Sequence, residues 1–102
     1  MKIRYALSAQ KDLQKILRYG LEHWTSTAEA FVLQLRKRLE STLTKHPNAG
    51  RKGRAHGTRE FVLVGTKHIV VYMPPSELRP AAIVVRVLHG AQQWPLADSG
   101  EA

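Results

Sequence analysis

The chain contains no cysteine, which excludes disulfides and thiolate metal sites and is in keeping with a reducing compartment. Acids are scarce as well: eight Asp and Glu stand against sixteen Lys and Arg in 102 residues, a formal net charge of +8. With few carboxylates, and with His23, His46, His56, His68 and His89 lacking short paired spacing, a zinc centre is not expected, nor any other metal or cofactor. No apolar run is long enough to span a bilayer, and the opening Met-Lys-Ile-Arg-Tyr-Ala-Leu lacks the long apolar region of a signal peptide. A cytoplasmic protein that does not engage membranes is therefore expected. The stretch from Gly50 to Gly57 does not end in Gly-Lys-Ser/Thr, which excludes a nucleotide-hydrolase phosphate loop of that type.

What is present fits one domain. A chain of this length buries roughly two thirds of its unfolded surface around a single core. Residues 1–95 are expected to form that domain, and 96–102, small and polar after Pro95, a flexible tail. The positive field favours a polyanion or an acidic protein as partner and says nothing about fold.

Between Lys2 and Leu7, Ile3, Tyr5 and Leu7 alternate with Lys2, Arg4 and Ala6, the pattern of a half-buried strand. Ser8 offers an N-cap for a helix of about four turns. Its apolar stripe is Leu13, Ile16, Leu17, Leu21 and Trp24, with Trp24 expected in the core. Gly20 weakens this helix slightly or admits a close neighbour. Ser26-Thr27-Ala28-Glu29 has the form of a capping box opening a second helix, with the stripe Ala28, Phe31, Val32, Leu35, Leu39, Thr42 and Leu43. That helix ends by His46, because Pro47 disfavours helical geometry in the residue before it. So short a connection predicts an antiparallel helical hairpin, with Arg36, Lys37 and Arg38 on its solvated face.

Residues 48–58 read as a loop in which Gly50, Gly53 and Gly57 space out Arg51, Lys52, Arg54 and His56. Arg59 to Val64 and Lys67 to Met73 read as strands joined by a two-residue type II′ turn at Gly65-Thr66, and Pro74-Pro75 ends the second. A loop over Ser76–Pro80 leads to the last strand, within Arg79 to Pro95. The order strand, helix, helix, strand, strand, strand predicts an α+β fold: an N-terminal strand and a helical hairpin on one face of a mostly antiparallel, four-stranded sheet.

One residue is out of place in the last strand. Arg86 stands among Ile83, Val84, Val85, Val87 and Leu88, where a guanidinium is costly to desolvate without an anionic partner or an opening onto a cleft. Strand alternation places Arg86 with Val84 and Leu88, and His89 with Val85 and Val87, so the two cations point opposite ways unless a bulge intervenes. Either Arg86 is tied to Glu60 as an internal ion pair, or it belongs to a working surface.

Two chemistries fit these residues. The cations and loop amides around Arg51, Lys52 and Arg54, with Lys67 beyond them, suit binding of a phosphate-bearing or acidic target. Metal-free RNA cleavage needs a base for the ribose 2′-hydroxyl, a cation for charge on phosphorus and an acid for the leaving 5′-oxygen. His89 is the candidate acid or base, Arg59 and Arg86 are the candidate clamps, and Lys67, His68 or Tyr72 would assist. The structural alternative is a hydrogen-bonded strand-end histidine beside a paired arginine.

Gly57-Thr58-Arg59-Glu60-Phe61-Val62, the strand His68-Ile-Val-Val-Tyr72 and above all Arg86-Val-Leu-His-Gly-Ala-Gln-Gln-Trp-Pro95 resemble toxins of the RelE/ParE superfamily, the basic halves of bacterial type II toxin–antitoxin pairs. The resemblance spans nearly the whole chain. It implies a first strand, a helical hairpin and a three-stranded meander, and an acidic, partly disordered antitoxin that folds over the toxin in a hetero-oligomer. One branch cuts messenger RNA on the ribosome and the other poisons DNA gyrase. Arg59, Arg86 and His89 fall near basic catalytic positions of the RNA-cutting branch. That branch, however, usually carries a Tyr after the last strand, where this chain has Trp94-Pro95, and Met73 stands where a basic residue is frequent. The ending resembles ParE-like members more closely, which implies gyrase poisoning. Ribosome-dependent endoribonuclease activity, and a degenerate toxin kept for antitoxin binding, are the alternatives.

Overall fold

The structure, a computed structural model, describes residues 2–23 and 25–90, so the expectations for Trp24 and for the tail 96–102, and the Trp94-Pro95 ending that carries part of the resemblance, lie outside the described residues. The initial alternation gives β1 (Ile3–Tyr5), in which Ile3 and Tyr5 are half-buried and Arg4 is exposed. Helix α1 (Leu7–His23) follows at once, earlier than a cap at Ser8 would allow. The Ser8 hydroxyl instead donates to the Val85 carbonyl at 2.6 Å, fastening the helix to the last strand.

A single 3₁₀ turn over Thr25–Thr27 connects α1 to α2 (Ala28–Lys45). Thr27 is the N-cap of α2 and makes no side-chain capping bond, so the expected Ser26–Glu29 box does not form. The 3₁₀ turn takes up Ser26 and moves the helix start one residue on. At the other end the His46 amide donates to the Thr42 carbonyl at 2.8 Å, and the chain leaves the helix before Pro47 as the proline requires.

The remaining elements are β2 (Arg51–Lys52), β3 (Arg59–Val62), β4 (His68–Met73) and β5 (Ala82–His89), and the sheet order is β1-β5-β4-β3-β2. The sheet thus has five strands rather than four. The extra one is two exposed cations within the expected loop, where no hydrophobic alternation marks a strand. β1 runs parallel to β5 and every other pairing is antiparallel.

The β3–β4 connection is not the two-residue turn expected. The Leu63 amide donates to the His68 carbonyl at 3.1 Å and the Thr66 amide to the Leu63 carbonyl at 3.0 Å, so Val64, Gly65, Thr66 and Lys67 form a four-residue loop. Gly65, with φ +85°, takes the third position of the turn, where a left-handed backbone is needed.

The core joins Ala9 and Leu13 of α1 and Leu35, Leu39 and Leu43 of α2 to Leu63, Val70, Tyr72, Val84 and Val87 of the sheet side. Full burial of a Leu or Val contributes about 1.5–3 kcal/mol, so these side chains anchor the helical layer on the sheet. Leu21 departs from the expected stripe and is exposed, while Gly20 beside it is buried. A bulge does intervene in the last strand: Tyr72 faces Val84 and Val71 faces Arg86, leaving Val85 unmatched. The inserted residue resets the alternation, which is how Val84 and Val87, three positions apart, both reach the same core.

Candidate functional site

The bulge delivers Arg86 to α1. Its Nε donates to Asp12 Oδ2 at 2.7 Å and its terminal nitrogen to Oδ1 at 3.0 Å, while the Val87 amide donates to Oδ2 at 2.9 Å. Arg86 is therefore tied to an internal acid, but to Asp12 rather than Glu60. The hydrogen bond to Asp12 raises the Arg86 pKa despite an opposing effect of burial, so the guanidinium stays charged. Asp12 had a legible signal that went unread: it lies three residues after Ala9 and beside Leu13, an acid set against the apolar stripe.

Glu60, only 1% exposed, is the counterpart at the far side of the sheet. It accepts from the Arg54 amide at 3.0 Å, from Arg54 Nε at 3.3 Å and from its terminal nitrogen at 3.1 Å, with Arg51 3.8 Å away. Burial pushes the carboxyl pKa up, but these hydrogen bonds and the Arg54 and Arg51 charges outweigh it and hold Glu60 below its ordinary range.

His89 and His68 face each other across the β4–β5 pair, ring centroids 6.0 Å apart and edge-on. With Asp12, Lys15, Ile16, Tyr19, Phe31 and Lys67 they line a groove of about 710 Å³ between α1 and the β3–β4 loop. Burial, and then the proximity of His89, lower the His68 pKa, so its imidazole is held neutral. Its Nδ1 is buried without a hydrogen-bond partner. A neutral imidazole, a second imidazole and two ammonium groups are chemically able to hold an anionic group and move a proton beside it.

The three residues proposed for RNA cleavage do not converge. Arg59 sits opposite Tyr72, and its terminal nitrogen donates to the Asn48 carbonyl at 3.3 Å, while His89 sits opposite His68 at the other end of β4. Four residue-to-residue steps along the strand separate those ends by about 13 Å. Arg86, opposite Val71 between them, is bound to Asp12. The proposed target-binding residues divide likewise: Arg51, Lys52 and Arg54 lie at and beside β2, and Lys67 lies on the groove. Lys15, Tyr19 and Phe31 join the groove from helices that the sequence had marked only for packing. Among the described residues no group of three or more His, Cys, Asp or Glu is placed to hold a metal, and no helix is long and apolar enough to cross a membrane.

The family described as ParE toxin of type II toxin-antitoxin system, parDE, matches residues 3–94. The Sinorhizobium fredii protein Y4kP, itself named as a candidate toxin, is 32% identical over 94 residues, covering 92% of this chain and 93% of its own. Among solved structures, the chromosomal ParDE system of P. aeruginosa superposes with a TM-score of 0.75 at 17% identity, over 87% of this chain and 95% of that one. The toxin–antitoxin complex RelBE2 of Mycobacterium tuberculosis gives 0.62 at 19% identity, over 86% and 95%. The intact E. coli RelBE complex gives 0.59 at 19%, over 90% and 98%, and all three likenesses concern the fold alone.

Proposed function

Because the chain belongs to the ParE toxin family of type II toxin–antitoxin systems, we propose that this toxin acts by poisoning DNA gyrase and is neutralised by an acidic antitoxin that folds on binding. The observation that carries a non-catalytic mode of action is the dispersal of Arg59, Arg86 and His89, with Arg86 committed to Asp12. A binding poison needs a surface rather than a converged acid, base and clamp. The positive charge supplies long-range attraction for an acidic antitoxin, and coupled folding of that partner adds complementarity.

Expression of the chain followed by gyrase supercoiling assays and by primer extension on ribosome-bound messages tests this reading. Loss of supercoiling without new cuts supports it, and cuts in messenger RNA overturn it. A chain with no effect on growth is a degenerate toxin kept for antitoxin binding.

One observation favours the ribonuclease alternative. His68 and His89 share a groove with Lys15 and Lys67, which assembles a neutral base and cations in one place although Arg59 is remote. In that case cleavage would vanish in both His68→Gln and His89→Ala and persist in Arg59→Gln.

A further inference from the structure

The β2 end of the sheet has a different character from the groove. Residues 45–60 hold five Lys or Arg, namely Lys45, Arg51, Lys52, Arg54 and Arg59, and a single acid, Glu60. That acid is buried and already occupied by Arg54 and Arg51, so it organises the cations from beneath rather than presenting a negative surface. The Arg51 and Arg54 side chains remain 73% and 44% exposed, and Lys52 and Lys45 are exposed too.

The backbone bearing these charges is fixed. The Tyr72 hydroxyl donates to the Pro47 carbonyl at 2.9 Å and accepts from the Gly50 amide at 3.1 Å, clamping the segment that leads into β2. Gly50 lies so close to β3 that a Cβ there would stand 2.7 Å from the Glu60 carbonyl oxygen. β2 is an outer strand, with only β3 beside it. The exposed large hydrophobic residues, Leu7, Tyr19, Leu21, Leu33, Val62, Val64 and Leu78, all lie outside this segment. A partner that binds by burying apolar area finds no large exposed anchor within residues 45–60, the next along the chain being Val62 on β3. An exposed cluster of cations on a fixed backbone, with no exposed large apolar side chain within the segment itself, suits the sugar–phosphate backbone, where contacts are charge to charge and independent of sequence.

We infer that the β2 end, through Lys45, Arg51 and Lys52 with Arg54 held behind them, is a contact surface for the phosphate backbone of duplex DNA. The inference rests on the gyrase reading for its setting, in which the DNA engaged is the segment held by that enzyme. Arg54 positions the loop through Glu60; Arg51, across the ladder from Glu60, and Lys52, across from Arg59, project from the two faces of the edge strand, and both are exposed, as is Lys45.

The test is fluorescence anisotropy of the full chain with a labelled 30-base-pair duplex across a salt series. The variants are a triple Lys45→Gln, Arg51→Gln, Lys52→Gln and a control triple Lys2→Gln, Lys11→Gln, Arg18→Gln, which removes the same charge from exposed positions elsewhere. Circular dichroism and urea midpoints confirm that both fold. The β2 triple is expected to weaken binding at least tenfold and to flatten the log K against log salt slope by about 2 to 3, roughly one per cation removed. The control triple should lose markedly less. Equal losses in the two triples, no duplex binding by the parent chain, or tighter binding of single-stranded RNA or of an acidic peptide would each overturn the inference. Supercoiling assays separate the two readings. Normal poisoning by a β2 triple that no longer binds DNA overturns the surface's role and leaves gyrase as target. DNA binding lost only in that triple, by a chain that never inhibits gyrase, supports the surface and rejects the target.

Discussion

Asp12 and Glu60 are built alike and do different work. Each is a buried carboxylate closed by a guanidinium and a backbone amide. Asp12, however, reaches a residue 74 positions away, whereas Glu60 takes one 6 positions away. The long-range pair joins the first helix to the last strand and leaves the Arg86 side chain 19% exposed. The local pair shapes one loop and leaves its cations facing water. The same chemistry thus closes a fold at one site and displays a surface at the other, and sequence separation decides which.

The sharpest way to break this comparison is to delete Asp12. Asp12→Ala takes the carboxylate from a largely enclosed guanidinium and leaves the Val87 amide without its acceptor, a loss of about 3–5 kcal/mol. Domains of this kind are stable by only about 5–15 kcal/mol, so urea denaturation should show much of that margin gone. Adding Arg86→Met to Asp12→Leu should recover only part of the loss, because an apolar pair removes both charges' desolvation costs while the Val87 amide still lacks its acceptor. A loss no larger than that of the Glu60 variant would end the distinction between closing and displaying.

Glu60→Gln comes next, with an expected cost of about 1–3 kcal/mol from weakened hydrogen bonds in one local loop. Its pH dependence has a definite sign. The folded-state pKa lies below the ordinary 4.5, so ionised Glu60 stabilises the fold above that value and loses its contribution as pH falls through the depressed one. The gap between parent and variant in urea midpoint should therefore be full near neutrality and narrow below pH 4.5. A gap constant with pH would mean that Glu60 acts by packing alone.

These two acids also mark how far the sequence could be read. Helical periodicity is local, so α1, α2 and the burial of Leu13, Leu35, Leu39 and Leu43 followed from it, whereas the exposure of Leu21 did not. The strand order β3, β4, β5 followed from alternation and from breakers such as Pro74-Pro75. The anomaly of Arg86 was equally plain, but its partner depended on a bulge at Val85, and a one-residue slip leaves no local mark in an unbroken run of β-branched residues. Ser8 and Ser26 were misread for a related reason. Capping residues announce a helix end, yet here a tertiary bond takes the Ser8 hydroxyl and a 3₁₀ turn displaces Ser26. The groove was legible at His89 and Lys67, whereas Lys15 and Phe31 came to it only through the packing of helices.

The groove offers a smaller test, at a base rather than an acid. His68 has a pKa lowered from 6.5 by burial and by His89, so the fold favours its neutral form. Its contribution is complete above pH 6.5 and is lost as pH falls through the folded value, because the unfolded chain binds the proton first. His68→Phe should narrow the stability difference between pH 7.5 and pH 5, and NMR titration of the parent should find the His68 imidazole protonating below the ordinary 6.5. A His68 resonance that titrates at the ordinary value would make the groove a solvated cleft.

The smallest effect is expected at Tyr5, where a polar network meets solvent instead of being sealed from it. Its hydroxyl donates to Glu40, which also lies 3.8 Å from Arg36, and the Arg36 guanidinium stands 4.9 Å from the centre of the Tyr5 ring. Tyr5→Phe keeps the ring and its cation and loses one hydrogen bond, so the cost should be about 1 kcal/mol or less. Burial, and then the Glu40 carboxylate, push the Tyr5 pKa up to about 12. Its stabilising contribution is whole below pH 10 and disappears as pH rises through about 12, since the unfolded phenol ionises first. Ultraviolet titration should resolve one tyrosine ionising near 12, absent in the Phe variant. Its appearance near 10 instead would show that the hydroxyl is free in water, and that enclosure, which Asp12 and Glu60 have and Tyr5 has only in part, is what gives these charged networks their strength.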